Sequence, residues 1–234
     1  MVISPFEIVR NHLSIRHVTE RLALTHLLSN PPVRRNLILS LAILGGLLAA
    51  LLLLLPAEQT LGPVIKAVFL HGALVRTGLL LFAISGVLGI GCLMWDRPML
   101  LAWTLAIQQA AVILWVAYAL SSMVTTYMAW GEWIAWDEPR VRASVHVLWF
   151  SLASLGLVLW VKNRIFTGLA NLAVAIMAWM LIKGATLARH PFNPIGESQS
   201  VAYSWFFIAM TVVVLLIALQ LTRGLAGRQN SAES

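Results

Sequence analysis

Hydrophobic residues fill six stretches of the chain, each about as long as a helix that crosses a bilayer. These stretches cover residues 37–55, 64–94, 99–122, 141–161, 165–187 and 201–222, and polar residues gather between them. A transmembrane helix needs about 20 apolar residues, whereas the strands of a membrane barrel are about half as long and alternate in polarity. The pattern therefore predicts an all-α polytopic membrane protein, a bundle of six transmembrane helices.

The composition agrees with this fold class and excludes some functions. The 234 residues are 60% hydrophobic and only 11% charged, unlike those of an average soluble domain. The net charge of +7 comes from basic residues beside apolar runs, so topology explains it, and we expect contact with membrane lipids but no nucleic-acid partner. The single Cys92 has no second cysteine with which to form a disulfide or a thiol pair.

Basic residues also predict the orientation. Ten of the 16 Lys and Arg residues fall on the side of the membrane that carries both termini, so we expect both termini in the cytoplasm of a bacterium or archaeon and the protein in its cytoplasmic membrane. Residues 1–35 are expected to form a cytoplasmic arm, either with an interfacial or docking helix or as a solvated basic segment. Residues 36–222 form the transmembrane domain, and residues 223–234 a cytoplasmic tail.

This topology brings two histidines and a tryptophan-rich loop to one outer level. His71 lies seven residues into the second span, about 10 Å along a helix, and His190 follows the fifth span among prolines that prevent helix continuation. Between them lies the segment WGEWIAWDEP, in which Trp130, Trp133 and Trp136 are spaced to share one side of a helical turn. We therefore expect two imidazoles and one aromatic surface in a shared pocket.

Such a set of side chains suits a haem. Imidazole nitrogens ligate porphyrin iron from either face, and indole rings supply flat apolar area. The propionates require cations, and the nearest basic residues are Lys66, Arg140, Arg142 and Arg189. Two polar residues inside spans are further candidates: His146 as an alternative axial ligand, and Arg76 as a partner of a propionate or of a lipid phosphate.

The tryptophan loop resembles the WWD motif, WGxxWxWD, of the haem-handling cytochrome c assembly proteins. Within that family the chain is most similar to the CcmC type, over about residues 24–225, with six spans as the family has. KAVFLH and TLARH, which end at positions 71 and 190, occupy the places of the two outer-face histidines of the family. The chain departs from the family in reading DEPR after the third tryptophan, with one residue more before the arginine. The matching motif residues are Trp130, Gly131, Trp133, Trp136 and Asp137.

The resemblance implies a haem-binding membrane protein of cytochrome c maturation, not an enzyme. It implies that His71 and His190 ligate haem iron at the outer face. It also implies delivery of the haem to a periplasmic haem chaperone, after loading in concert with ABC-type transporter subunits. No nucleotide-binding loop occurs in this chain, so ATP hydrolysis is expected in those partners. The remaining residues expected around the haem are Lys66, Trp130, Gly131, Trp133, Trp136, Asp137 and Arg140.

Two other classes of function compete with this interpretation. A b-type cytochrome or quinol-linked membrane anchor would keep its haem, but it usually has histidine pairs at two depths, and the spans contain only His71 and His146. A non-catalytic scaffold would use the tryptophans for protein contact alone. Tryptophans at a membrane edge also commonly form an interfacial belt.

Overall fold

The computed structural model describes residues 31–58, 62–186 and 200–232, which fold as an all-α membrane bundle. All six helices are long and apolar enough to cross a membrane, and within these residues the only strand-type pairing is an isolated bridge between Glu58 and Gly62. The fold class expected from the sequence is confirmed. The helices are α1 (Pro31–Leu54), α2 (Val64–Met94), α3 (Pro98–Trp130), α4 (Pro139–Val161), α5 (Arg164–Gly184) and α6 (Val201–Ala232).

Helix α2 is the centre of the bundle. It packs against α3, α5 and α6, while α4 packs against α3 and α5, and α1 packs against α6. The approach of α2 to α5 is very close because Gly89 and Gly168 face each other: a Cβ atom built on either would lie 2.7 Å from the carbonyl oxygen of the other. Small residues at helix contacts allow backbones in a membrane to approach in this way. The largest fully buried side chains around these helices include Phe69, Phe82, Trp115 and Met210.

The core also contains an amide pair that joins α3 to α5. Asn171 Nδ2 donates to Gln108 Oε1 at 3.2 Å and to the Thr167 carbonyl at 2.9 Å. Both amide side chains are fully buried. Hydrogen bonds of this kind between membrane helices are worth on the order of 1 kcal/mol, and they fix the register of the two helices.

The helices differ in length, and this difference shapes one end of the bundle. Arg164 opens α5 and donates to the Cys92 carbonyl, with Asp96 Oδ1 3.4 Å from its Nε, so α5 starts level with the last turn of α2. Because α2 has 31 residues and α5 has 21, α2 continues about 15 Å past the far end of α5. We call this end, where α1, α3 and α5 finish and α2, α4 and α6 start, the loop end.

Several helix bounds differ from the sequence prediction. The third helix was expected to end at residue 122, but it continues to Trp130. Hydropathy fails here because Ser121 and Thr125 count as polar, while their hydroxyls donate to carbonyls one turn back in the same helix.

Three other helices also begin or end at residues that differ from the prediction. Helix α6 continues to Ala232, so the expected tail at residues 223–234 is helical in its described part. Helix α1 starts at Pro31, inside the predicted arm of residues 1–35, and α5 ends at Gly184 instead of residue 187. The rest of the predicted arm lies outside the described residues.

Candidate functional site

The tryptophan loop begins at a left-handed glycine. Gly131 has φ 77° and ψ 6°, and its amide donates to the Tyr127 carbonyl at 2.9 Å, which closes the last turn of α3. Only glycine adopts this conformation without a steric penalty, so the glycine of the motif ends the helix. Residues 131–138 that follow are not helical. The expected helical turn through the three tryptophans is therefore wrong.

Two residues of α3 hold the loop back against the helix. The Thr126 hydroxyl donates to the Trp133 carbonyl at 2.9 Å. The Trp133 indole stacks on the Tyr127 ring with centroids 4.4 Å apart and planes 15° from parallel. Trp133 is nevertheless 55% exposed, so the stacked pair presents one flat aromatic face to its surroundings.

The other two tryptophans do not extend this stack. Trp136 is 56% exposed, and Trp130 is half-buried as the last residue of α3. Among the described residues no ring contact joins the three indoles to one another. The spacing predicted a continuous surface of three indoles, whereas the ring stack within the described residues joins Trp133 to Tyr127.

The loop ends in a buried acid that starts α4. Glu138 is 1% exposed and Ala135 is fully buried. The Glu138 amide donates to the Ala135 carbonyl at 3.1 Å, and the Glu138 carbonyl accepts from the amide of Val141 at 3.0 Å. Pro139 is the first residue of α4, where its missing N–H costs nothing. The segment that departs from the family motif is thus a tight loop-to-helix junction, and Asp137 beside it is exposed.

A hydrogen-bonded network connects the start of α4 to the core. Tyr118 Oη and Ser144 Oγ are 2.8 Å apart, and Trp115 Nε1 donates to the Ser144 carbonyl at 3.1 Å. The Ser144 hydroxyl also lies 2.8 Å from the Arg140 carbonyl, to which it donates. Arg140 Nη2 reaches the Ile182 carbonyl in the last turn of α5 at 3.4 Å. This network fixes α3, α4 and α5 relative to one another below the tryptophan loop.

His71 lies beside this network on α2. Its ring centroid is 6.2 Å from that of Tyr118, with the planes inclined by 40°. Its Nδ1 is 3.3 Å from the Ala67 carbonyl oxygen. Because a carbonyl oxygen only accepts hydrogen bonds, Nδ1 is the donor in this contact. His71 is half-buried, so its ring has a defined orientation.

The other candidates from the sequence have varied positions. His190 and Arg189 lie outside the described residues, which resume at Ser200 after Thr186. Lys66 Nζ donates to the Leu53 carbonyl at the end of α1 at 3.0 Å, so the structure does not bring it to His71.

His146 is the eighth residue of α4, as His71 is of α2. It is exposed and lines a groove with Trp149, Phe150, Met177 and Leu181, between α4 and α5. The structure therefore does not bring His146 to the site of His71.

Sequence reasoning missed Thr126, Tyr127, Tyr118 and Ser144. Tyr118 contacts His71 because α3 packs on α2, and it contacts Ser144 because α3 packs on α4, and no short-range pattern reveals either contact. Tyr127 was placed outside the third span, and residues six apart, as Tyr127 and Trp133 are, do not contact each other within one helix or one strand. Within the described residues no group of three or more His, Cys, Asp and Glu side chains is placed to hold a metal ion.

Comparisons with protein-family models, with curated proteins and with solved structures give no significant match to this chain.

Replacement of Gly131 by alanine tests the role of the left-handed residue. We expect a loss of about 1–2 kcal/mol in the free energy of unfolding, because φ 77° is strained for a residue with a Cβ atom. Gly131→Asn is expected to lose less, since asparagine tolerates this region. Thermal unfolding in detergent measures both, with Gly184→Ala as the control, because no atom beyond its chain neighbours and its own helix backbone lies within 4 Å of a Cβ built there. Equal stability of Gly131→Ala and wild type would contradict this role.

Proposed function

We propose that this protein binds haem at the loop end and passes it to a separate acceptor in cytochrome c maturation. The observation that supports this most directly is the orientation of His71. A histidine that ligates a metal usually donates its other ring N–H to a carbonyl or carboxylate, which fixes the ring and makes the ligating nitrogen more basic. The contact between Nδ1 and the Ala67 carbonyl is of this type, so Nε2 of His71 would ligate the iron.

The level of His71 supports His190 as the second ligand. Trp179 of α5 donates to the Leu79 carbonyl of α2, and Gly168 faces Gly89. The two antiparallel helices therefore run in step, and α5 would reach the level of His71 just past its last residue, Gly184. Only four residues of chain follow Thr186 up to position 190, so covalent geometry keeps the Cα atom of His190 within about 15 Å of the Cα atom of Thr186.

The aromatic residues would then line the sides of the haem. The stacked Tyr127 and Trp133 form a supported flat face, and Trp136 offers a second exposed indole. Flat rings held in advance bind a planar apolar ligand with little loss of side-chain freedom. Arg140, which is oriented by the Ile182 carbonyl at the same end, would bind a propionate.

The exposure of this site suits transfer better than retention. Trp133 and Trp136 are both more than half exposed, and α2 and α3 raise the site beyond the end of α5. A haem held there would be accessible to a second protein. We propose that the acceptor is the periplasmic haem chaperone, and that ABC-type transporter subunits assist loading from the cytoplasmic membrane. The chain itself would catalyse no reaction.

Haem titration of the detergent-purified protein tests this function. We expect a saturable low-spin absorption spectrum, typical of two axial imidazoles, and loss of the haem to an excess of apomyoglobin. A b-type redox subunit would instead retain its haem and be reduced reversibly by a quinol analogue. Absence of saturable haem binding would refute the proposal, and retention of haem in the presence of apomyoglobin would refute the transfer step.

A further inference from the structure

Helices α5 and α6 follow each other in the chain but do not pack together in the described residues, although both pack against α2. Between them, one side of α2 is left open to the membrane. Arg76 lies on this side, is exposed, and places its guanidinium carbon 4.4 Å from the centre of the Phe207 ring of α6. Three residues further on, the Leu79 carbonyl accepts from Trp179 of α5. Arg76 thus stands in a cleft between α5 and α6.

A second cation lies at the same level of this cleft. Helices α2 and α5 contact each other at two levels, Gly89 with Gly168 and Leu79 with Trp179. These levels are ten residues apart on α2 and eleven residues apart on α5, so the two helices advance at nearly the same rate. Lys183 lies four residues beyond Trp179 towards the loop end. It is therefore level with position 75 of α2, one residue from Arg76 along that helix. The Lys183 ammonium is 5.7 Å from the centre of the Trp179 ring. We define the α5–α6 cleft by Arg76, Trp179, Lys183 and Phe207.

Within the described residues, the two cations contact aromatic rings and no acid. The described residues place no carboxylate within ion-pair distance of Arg76 or Lys183, and Asp96 pairs with Arg164 at the opposite end. A cation on the membrane-facing side of a helix is costly unless an anion or water meets it. The charge of the cleft therefore fits an anionic ligand.

The depth of the cleft identifies the type of anion. Helix α5 has 21 residues and is about 31 Å long, which is just the thickness of the hydrocarbon core. Lys183 lies one residue from its end, so it is at the level of lipid phosphate groups. Arg76 shares this level although it is 12 residues into α2, because α2 projects beyond α5.

The surface directly below the cations is apolar. Leu80, Ile84 and Val87 follow Arg76 along α2 at helical spacing, and they are 42%, 38% and 67% exposed. From Arg76 to Val87 the helix rises about 16 Å, which is half the thickness of the hydrocarbon core. Acyl chains attached to a phosphate at the cations would lie along this strip.

We propose that the α5–α6 cleft binds an anionic phospholipid. The lipid phosphate accepts hydrogen bonds from the Arg76 guanidinium and the Lys183 ammonium, and the acyl chains cover the apolar strip of α2. Trp179 and Phe207 hold the two cations towards the headgroup. This binding needs no haem and stands apart from the proposed function.

Native mass spectrometry of the full-length protein tests the site, with phosphatidylglycerol and phosphatidylcholine as probes. We expect wild type to prefer phosphatidylglycerol. Each of Arg76→Gln and Lys183→Gln should weaken that binding about fivefold, and the double variant about thirtyfold, because a cation near the membrane surface contributes about 1 kcal/mol of attraction to anionic lipid. The matched control is Arg142→Gln, an exposed arginine of α4 at the loop end, which should change the affinity less than twofold.

Two results would overturn the site: equal affinity of wild type for the two lipids, or a loss in Arg142→Gln as large as in the double variant. A photoreactive benzoylphenylalanine at position 87 provides a local readout. It should crosslink phosphatidylglycerol in wild type and lose that product in the double variant, while the same probe at exposed Leu159 of α4 is unaffected.

A haem titration separates this proposal from the proposed function. The double variant should bind haem as wild type does. If it loses haem but keeps phosphatidylglycerol, the cleft binds haem carboxylates and the lipid proposal is wrong.

Discussion

Replacement of His71 by alanine is expected to lower the haem affinity of the purified protein by at least about 100-fold and to abolish the low-spin spectrum. Loss of even an outer-shell partner of a metal ligand typically costs 10–100-fold in affinity, and loss of the ligand itself removes an iron–nitrogen bond. His190→Ala should have a similar effect. The measurement is a haem titration followed by absorption spectroscopy, with added imidazole as a rescue, since a small imidazole fills the vacated position if the protein is folded.

His146→Ala is the matched control for this substitution. His146 and His71 each occupy the eighth position of their helix, but His146 is exposed in the groove between α4 and α5, away from Tyr118 and the tryptophan loop. We expect an unchanged spectrum and affinity. If His146→Ala loses haem while His71→Ala retains it, the iron is bound at the α4–α5 groove and the proposed site is wrong.

Replacement of Gly89 by valine is expected to destabilise the bundle by about 3 kcal/mol or more. Even a single Cβ at this position would lie 2.7 Å from the Gly168 carbonyl oxygen and 3.2 Å from the Asn171 Cβ. Backbone cannot rotate away as a side chain can, so α2 and α5 must separate, which weakens the Asn171–Gln108 contact beside it. Overpacking of a tight contact typically costs 1–3 kcal/mol before such secondary losses. Thermal unfolding in detergent, followed by light scattering or circular dichroism, measures the effect.

Gly156→Ala is the control for that substitution. Gly156 is also inside a helix, α4, but no atom beyond its chain neighbours and its own helix backbone lies within 4 Å of a Cβ built there. Alanine should leave stability unchanged or raise it by up to about 1 kcal/mol through its higher helix propensity. Equal stabilities for Gly89→Val and Gly156→Ala would show that the close approach of α2 and α5 is not essential.

The sequence predicted the number of helices and the bounds of α2 because sharp polarity changes mark them. Pro63 precedes α2, and Trp95, Asp96 and Arg97 follow it. The end of α3 escaped prediction because hydropathy treats a hydroxyl as exposed to water. In a helix, Thr125 satisfies its hydroxyl on the Ser121 carbonyl, so the polar turn continues the helix.

The candidate site was predictable by residue type more than by geometry. The tryptophans and His71 stand out in the sequence, and the structure places them near the loop end. The stack of Tyr127 on Trp133 depends on the left-handed Gly131, which reverses the chain. The bond from Trp115 to Ser144 joins residues 29 apart. Such contacts follow from the packing of α3 on α4, which a single sequence does not specify locally.

The pairing of α1 with α6 sets an order on the assembly of the chain. In the described residues α1 packs appreciably only against α6, with Leu37 against Gly224 at one end and the Tyr203 hydroxyl on the Ala57 carbonyl at the other. The first of the described helices thus has its neighbour in the last of them. Until α6 has been synthesised, α1 lacks the helix on which it packs, and the hydrogen bond from Lys66 to the Leu53 carbonyl is a contact that α2 alone can offer it.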